Sequence, residues 1–218
     1  RTGAAPGISP REPVFSPDGR SIAYGEVSNG KTAIRRMEIA GGAPVTLFAD
    51  VASSSSLAWG GDSIFFSSLA GDSVMRLAAS GGRPEPILQL EQGELATRPQ
   101  LLDDGRLLFA VRPNRSDPTV DWSQGRIVVQ RPGEKTRTVL VEGGTDPRYL
   151  SSGHLIYQLN GVLYARTFDP SRMAVGGAVS VVEGVHRGGS GLNAWYAVSD
   201  SGTLVYLPLM LRKEKPLV

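Results

Sequence analysis

The feature that most constrains this chain is a short unit that recurs along its length. It is clearest near the start, as Val14-Phe15-Ser16-Pro17-Asp18-Gly19-Arg20-Ser21-Ile22-Ala23-Tyr24. Two apolar stretches flank a tight turn. Proline presets φ at the first turn position, and glycine enters the left-handed region without a Cβ penalty, as a three-residue hairpin loop requires. Weaker copies occupy 57–66, 99–109, 147–157 and 196–206. Their turn glycines, from Gly19 through Gly61, Gly105 and Gly153 to Gly202, are separated by 42, 44, 48 and 49 residues. That is the period of a four-stranded propeller blade.

Each unit also has a second half, in which a third strand leads through a small-residue turn into a fourth. The first unit has 32–39, the turn Gly41-Gly42-Ala43-Pro44, and 45–48. The second has 73–78, Gly81-Gly82-Arg83-Pro84 and 86–90; the third has 126–130, Pro132-Gly133 and 136–141; the fourth has 162–168, Gly176-Gly177 and 179–182. No segment of twelve residues carries a helical period. The predicted fold is all-β: a β-propeller of four-stranded antiparallel blades, with four complete repeats and a partial fifth. It forms a single domain over 1–218, with blades at 12–50, 54–92, 97–143 and 145–184 and a partial blade at 193–218.

Runs such as Ile22-Ala23-Tyr24 and Leu155-Ile156-Tyr157 are apolar at consecutive positions, as suits a strand covered on both faces by neighbouring blades. The aromatic residues Phe15, Trp59, Tyr149 and Tyr196 all precede the turn and are expected to wedge between adjacent blades. Residues 1–10 read as a poor strand, because Gly3, Pro6, Gly7 and Pro10 each weaken a ladder.

Composition narrows the chemistry. Hydrophobic residues make up 40% of the chain, enough for a packed core, and 23 basic against 21 acidic residues leave a net charge of +2. With no dense basic stripe beyond a short run at 211–215, nucleic acid and anionic membrane are not expected partners. Cysteine is absent, which excludes disulfides, thiolate metal sites and cysteine nucleophiles. Only two histidines exist. His154 takes the position held by Arg20, Arg106 and Thr203 in other copies, an exposed hairpin flank, and His186 falls in a glycine-rich linker. No Gly-x-Ser-x-Gly elbow is present, and Asp103-Asp104 lies in a turn that favours aspartate for backbone reasons. The expected set of catalytic residues, metal ligands and cofactors is therefore empty. No apolar run reaches the length of a membrane span.

Two places are candidates for binding. Residues entering the innermost strands should ring the channel mouth: Arg11, Glu12, Ser56, Arg98, Asp146, Arg148 and Asn193. The third unit carries a long insertion at 112–125, in which Arg112, Arg115 and Trp122 have the character of interface anchors.

The strand–Ser-Pro-Asp-Gly–strand unit, best preserved at Phe15-Ser16-Pro17-Asp18-Gly19-Arg20, resembles the TolB-like, WD-repeat-like β-propellers of bacteria. The stretches at 147–157, 161–169 and 197–206 look most like propeller regions attached to bacterial serine/threonine protein kinases. The resemblance implies a ring of about six blades, of which this chain would be part. It also implies a periplasmic or extracytoplasmic location beyond a kinase and a membrane span; the residues themselves leave the cytoplasm open. The chain has none of the kinase signatures. Since it starts at Arg1 without methionine, a targeting segment is expected to lie outside it. The implied role is non-catalytic binding of a protein or peptide, as the sensory or scaffold region of a receptor-type kinase. Self-association through open blade edges is a further expectation. The alternative is a propeller enzyme, lyase or glycosidase, or the accessory propeller of a prolyl-oligopeptidase-like peptidase.

Overall fold

All five turn glycines take the left-handed conformation, with φ between 57° and 86°. They do so in a computed structural model that describes residues 9–28, 31–51, 55–68, 70–113, 117, 120–187, 194–199 and 201–209. The loops they close differ in length. Leu102 N–H bonds the Arg106 carbonyl at 2.8 Å and Leu150 pairs with His154, giving three-residue loops in the third and fourth units. In the second, Gly60 pairs with Ser63 and only Gly61 and Asp62 remain between them. The first loop has four residues rather than the expected three, because Ser16 N–H bonds the Ser21 carbonyl at 2.9 Å. The Ser16 hydroxyl spans the extra residue by accepting Ser21 N–H at 2.9 Å. Turn length is thus free to vary; the left-handed glycine is not.

Each hairpin grows into a sheet in chain order. The first is β1 (Ser9–Phe15), β2 (Ser21–Ser28), β3 (Lys31–Glu38) and β4 (Val45–Val51). The second is β5 (Ser55–Gly60), β6 (Ser63–Ser67), β7 (Ser73–Ala78) and β8 (Glu85–Gln89). The third is β9 (Leu95–Leu101), β10 (Leu107–Arg112), β11 (Arg126–Gln130) and β12 (Arg137–Glu142). In the fourth, β13 (Thr145–Leu150), β14 (His154–Leu159) and β15 (Val162–Asp169) lead to β16 (Ala174–Val175) and β17 (Val179–Val182), both paired with β15. β18 (Tyr196–Val198) and β19 (Leu204–Tyr206) form a two-stranded fifth sheet. β1 touches β5, β5 touches β9, and β9 touches β13, so the first strands of the sheets adjoin one another.

The core is a series of layers between sheets. Ala23, Ile34 and Leu47 of the first sheet pack on Leu57, Ile64, Phe66 and Leu77 of the second. Phe65 points the other way and joins Val74 and Leu88 against Leu107, Phe109, Val111 and Val128 of the third. On β10, Leu108 turns to the fourth sheet, joining Ile127 and Val129 against Leu155, Tyr157 and Phe168. Alternate residues of one strand serve opposite neighbours, which is why these strands read as continuous apolar runs. Fully burying each such side chain is worth about 1.5–3 kcal/mol.

The first sheet departs from this pattern. β10 is buried at five consecutive positions, whereas burial on β2 alternates from Ser21 to Glu26. One face of the first sheet therefore has no neighbouring sheet among the described residues. This corrects one expectation: Trp59, Tyr149 and Tyr196 pack against the inter-sheet clusters, but Phe15 is 67% exposed. Among the described residues its wedge position has nothing on the other side. His186 also differs from expectation. It belongs to the fifth unit, its N–H bonding the Leu207 carbonyl at 2.8 Å while its carbonyl accepts Trp195 N–H at 3.0 Å.

Candidate functional site

The innermost strand of each of the four larger sheets is bulged at the same place. Pairing slips between Arg11 and Val14, between Ser55 and Ala58, opposite Leu108–Ala110 on β9, and between Thr145 and Arg148. At each slip one residue takes a left-handed backbone: Glu12 (φ 51°), Ser56 (φ 69°), Arg98 (φ 55°) and Asp146 (φ 53°). None is glycine, and only Asp146 is of a type enriched in this region; the conformation costs roughly 1–2 kcal/mol per residue. Strain repeated four times at one position needs compensation.

The compensation is a chain of contacts from one sheet to the next. The Glu12 carboxylate accepts the backbone N–H of Ser56. The Ser56 hydroxyl accepts the N–H of Arg98 at 2.9 Å. Arginine has no acceptor to continue the pattern, and an ion pair replaces it: Arg98 Nε stands 2.6 Å from Asp146 Oδ1. Asp146 then accepts the N–H of Ala194, the equivalent position in the fifth unit, and the Tyr196 hydroxyl donates to the Asp146 carbonyl. The bulge swings each side chain out of its own ladder, toward the backbone of the next sheet.

Arg98 also reaches across the axis, its Nη1 lying 3.6 Å from Glu12 Oε2. Side-chain exposure is 18% for Glu12, 12% for Arg98 and 1% for Asp146, so these charges interact in a largely desolvated centre. Burial pushes the Asp146 carboxyl above its ordinary range, and the charges of Arg98 and Arg148 pull against that rise. Burial works to lower Arg98, but Asp146 and Glu12 outweigh it and hold the guanidinium above its usual value. Burial also raises the Tyr196 phenol. Arg148 is the second cation of the centre: burial, then repulsion from Arg98, lower it.

Of the sequence-predicted mouth residues, Glu12, Ser56, Arg98, Asp146 and Arg148 are brought together. Arg11 lies in β1 opposite Gly25, its side chain outside the described residues, as is Asn193. Ala194 and Tyr196 were not singled out as members of this ring; their signal was position in the repeat rather than residue type. Gln100 was missed as well. Just past the bulge, its amide donates to the Tyr149 carbonyl and accepts Tyr149 N–H, both at 2.9 Å, so a side chain imitates one rung of a ladder between sheets.

The insertion at 112–125 turns inward where it is described. Trp122 opens a short 3-10 turn (Trp122–Gln124) capped by the Asp121 side chain, and its side chain is 6% exposed. The Arg112 guanidinium lies over its ring at 5.9 Å and also donates to the Val120 carbonyl. Both residues engage the chain itself. Arg115 lies outside the described residues.

No family model and no curated sequence matches the chain. Its backbone does match solved structures. A luciferin-regenerating enzyme superposes with a TM-score of 0.63 at 10% identity, covering 90% of this chain and 68% of that one. A protein named as a TolB from Agrobacterium tumefaciens gives 0.61 at 16% identity, over 89% of this chain and 73% of that one. TolB from Acinetobacter baumannii gives 0.59 at 16% identity, over 81% of this chain and 44% of that one. The fold is that of a β-propeller. The chain spans between under half and about three quarters of these neighbours, and among the described residues its sheets do not close into a ring. Among the described residues, no helix is long and apolar enough to cross a membrane.

Proposed function

We propose that this chain is a non-catalytic part of a β-propeller that binds a protein or peptide at its axial centre. One observation carries the reading: the axial charges are committed to fixing backbone. Glu12 holds Ser56 N–H, and Asp146 holds Ala194 N–H and the Arg98 side chain. Carboxylates so engaged are poor proton carriers, because accepting a proton would break the contacts that hold successive blades in register. As a rigid polar surface in a low-dielectric mouth they suit recognition. The two histidines stand elsewhere, His154 exposed beside the fourth turn and His186 edge-on to Trp195 at 5.6 Å.

The finer reading follows the sequence resemblance: an extracytoplasmic sensory or scaffold region of a receptor-type kinase. The neighbours with TolB names are consistent with it, as proteins of the same fold. Among other neighbours of this fold is an oligogalacturonate lyase, at a TM-score of 0.50 and 11% identity, so an enzymatic reading is the outcome to test against.

The test is cross-linking mass spectrometry of the full chain against an immobilised random peptide library. Enriched peptides should cross-link to β1, β5, β9 and β13 at their bulges. Absence of any enriched peptide, or cross-links confined to the outer strands β4, β8 and β12, would overturn the proposal. Turnover of an oligogalacturonate would replace it with the enzymatic reading.

A further inference from the structure

The charge balance of the axial centre is uneven at the level of contacts. Two carboxylates, Glu12 and Asp146, face two guanidiniums, Arg98 and Arg148, yet Arg98 takes both acids, at 3.6 and 2.6 Å. Glu12 Oε2 and Asp146 Oδ2 are further engaged by the N–H groups of Ser56 and Ala194. Among the described residues Arg148 is left with one hydrogen bond, from Nη1 to the carbonyl of Pro147 at 3.0 Å, the residue before it in the chain. Among the described residues no carboxylate lies within ion-pair distance of it. A guanidinium has five N–H donors in a planar fork, so most of this one is unspent. Arg148 is only partly buried, so its unspent donors are open to a ligand entering from solvent, beside a second cation whose acids are already taken.

The missing partner has a definable chemistry. The centre is neutral as a whole, but Arg98 holds both acids, which leaves one planar fork open, the match for a single carboxylate bound through both oxygens. A phosphate dianion fits less well, because Glu12 and Asp146 stand close enough to repel a second negative charge. We propose that Arg148 is an anchor for one carboxylate of a bound peptide, carried at its C-terminus or on an acidic side chain. This rests on the peptide-binding reading and names the group that such a peptide presents to the axis.

The experiment follows the Arg148 side-chain resonances by NMR in the full chain. The probes are N-acetyl-triglycine with a free carboxylate, its C-terminal amide, N-acetyl-Gly-Glu-Gly-amide, acetate and inorganic phosphate. A carboxylate-bearing peptide should shift the Arg148 signals saturably, and the amide of triglycine should bind at least about tenfold more weakly. Whether triglycine or the glutamyl peptide wins identifies the source of the carboxylate. Arg148→Gln should abolish binding without lowering the melting temperature, since no ion pair among the described residues is lost, and Arg148→Lys should restore part of it. Equal binding of acid and amide, or binding unchanged in Arg148→Gln, would overturn the anchor while leaving peptide binding standing. Tighter binding of phosphate than of any carboxylate would overturn it in favour of a phosphoryl ligand. Saturable acetate binding with no gain from either peptide would keep an anion site but remove the peptide. No shift with any probe would overturn the inference outright.

Discussion

Arg98 Nε stands 2.6 Å from Asp146 Oδ1 at a point where both residues hold a left-handed backbone, in adjacent sheets. The pair occupies the step of the axial chain where no acceptor side chain is available, so an ion pair joins the third sheet to the fourth. Because the Asp146 side chain is 1% exposed, its charge depends on that partner.

Removing Arg98 should therefore cost more than removing the charge it serves. Arg98→Ala leaves a buried carboxylate unpaired and should lose about 3–5 kcal/mol of stability. Asp146→Asn keeps an oxygen for Ala194 N–H and leaves Arg98 with Glu12, so the loss should be about 1–2 kcal/mol. Arg98→Met combined with Asp146→Asn should unfold later in urea than Arg98→Ala alone. Equal losses in the two single variants would show that the pair does not set the stability of this step.

Ser56 tests the strained backbone by a reversal of sign. Glycine within a strand is ordinarily about 0.5–1 kcal/mol worse than alanine. At Ser56, where φ is 69°, both substitutions lose the acceptor for Arg98 N–H, but only alanine keeps the left-handed penalty. Ser56→Gly should therefore be more stable than Ser56→Ala, by about 1 kcal/mol in denaturant melts. The usual order would mean that the bulge relaxes when the hydroxyl is gone.

These two positions also show what was legible in the sequence. The turn glycines could be read because positive φ dictates a residue type, and that type recurs at 19, 61, 105, 153 and 202. The axial positions 12, 56, 98, 146 and 194 repeat as regularly, yet hold Glu, Ser, Arg, Asp and Ala. Their task is only to present an oxygen or charge to the next backbone, or to be that backbone, and several residue types can do it. Polarity near the strand entrance was therefore readable, and the blade-to-blade chain was not. Gln100 left still less trace, since one amide bridging Tyr149 has no counterpart in the other repeats to reveal it. Phe15 misled for a different reason: its place in the repeat is that of a wedge, but burial depends on a neighbour, which no single repeat encodes.

The contrast between Phe15 and Trp59 should appear in stability. Trp59 packs against the apolar cluster shared by the first two sheets, and Trp59→Ala should cost about 3–5 kcal/mol. Phe15→Ser, at the equivalent place on an uncovered face, should cost less than about 1 kcal/mol. The same face is the expected route to self-association, with Val205 and Leu209 exposed on the fifth unit at the other end. Static light scattering over a dilution series should show association weakened by Phe15→Ser and by Val205→Ser. A large stability loss in Phe15→Ser would mean that another part of the molecule covers it.

The turns give the fold an acid limit of predictable sign. Ser16 donates to Asp18 at 2.6 Å, Arg106 Nε to Asp104 at 2.7 Å and Ser171 to Asp169 at 2.6 Å. These side-chain hydrogen bonds, together with backbone N–H groups two residues on, hold all three carboxyls below the ordinary aspartate value of 3.8. A carboxyl depressed in the folded state contributes stability above 3.8 and loses it as pH falls through the lower folded value. Asp146 has the opposite sign: burial raises it, so the folded state keeps its proton longer, and stability declines as pH rises from 3.8 through the raised value. The melting temperature should thus fall below 3.8 in wild type and in Asp146→Asn alike, while the Asp18→Asn, Asp104→Asn, Asp169→Asn triple variant flattens that fall. Asparagine keeps the acceptor oxygen, so the turns survive and only the titration is lost. Solvent screens each exposed aspartate, and the effect should therefore emerge in the triple variant rather than in any single one. An unchanged acid slope in the triple variant would place the acid sensitivity outside the turns.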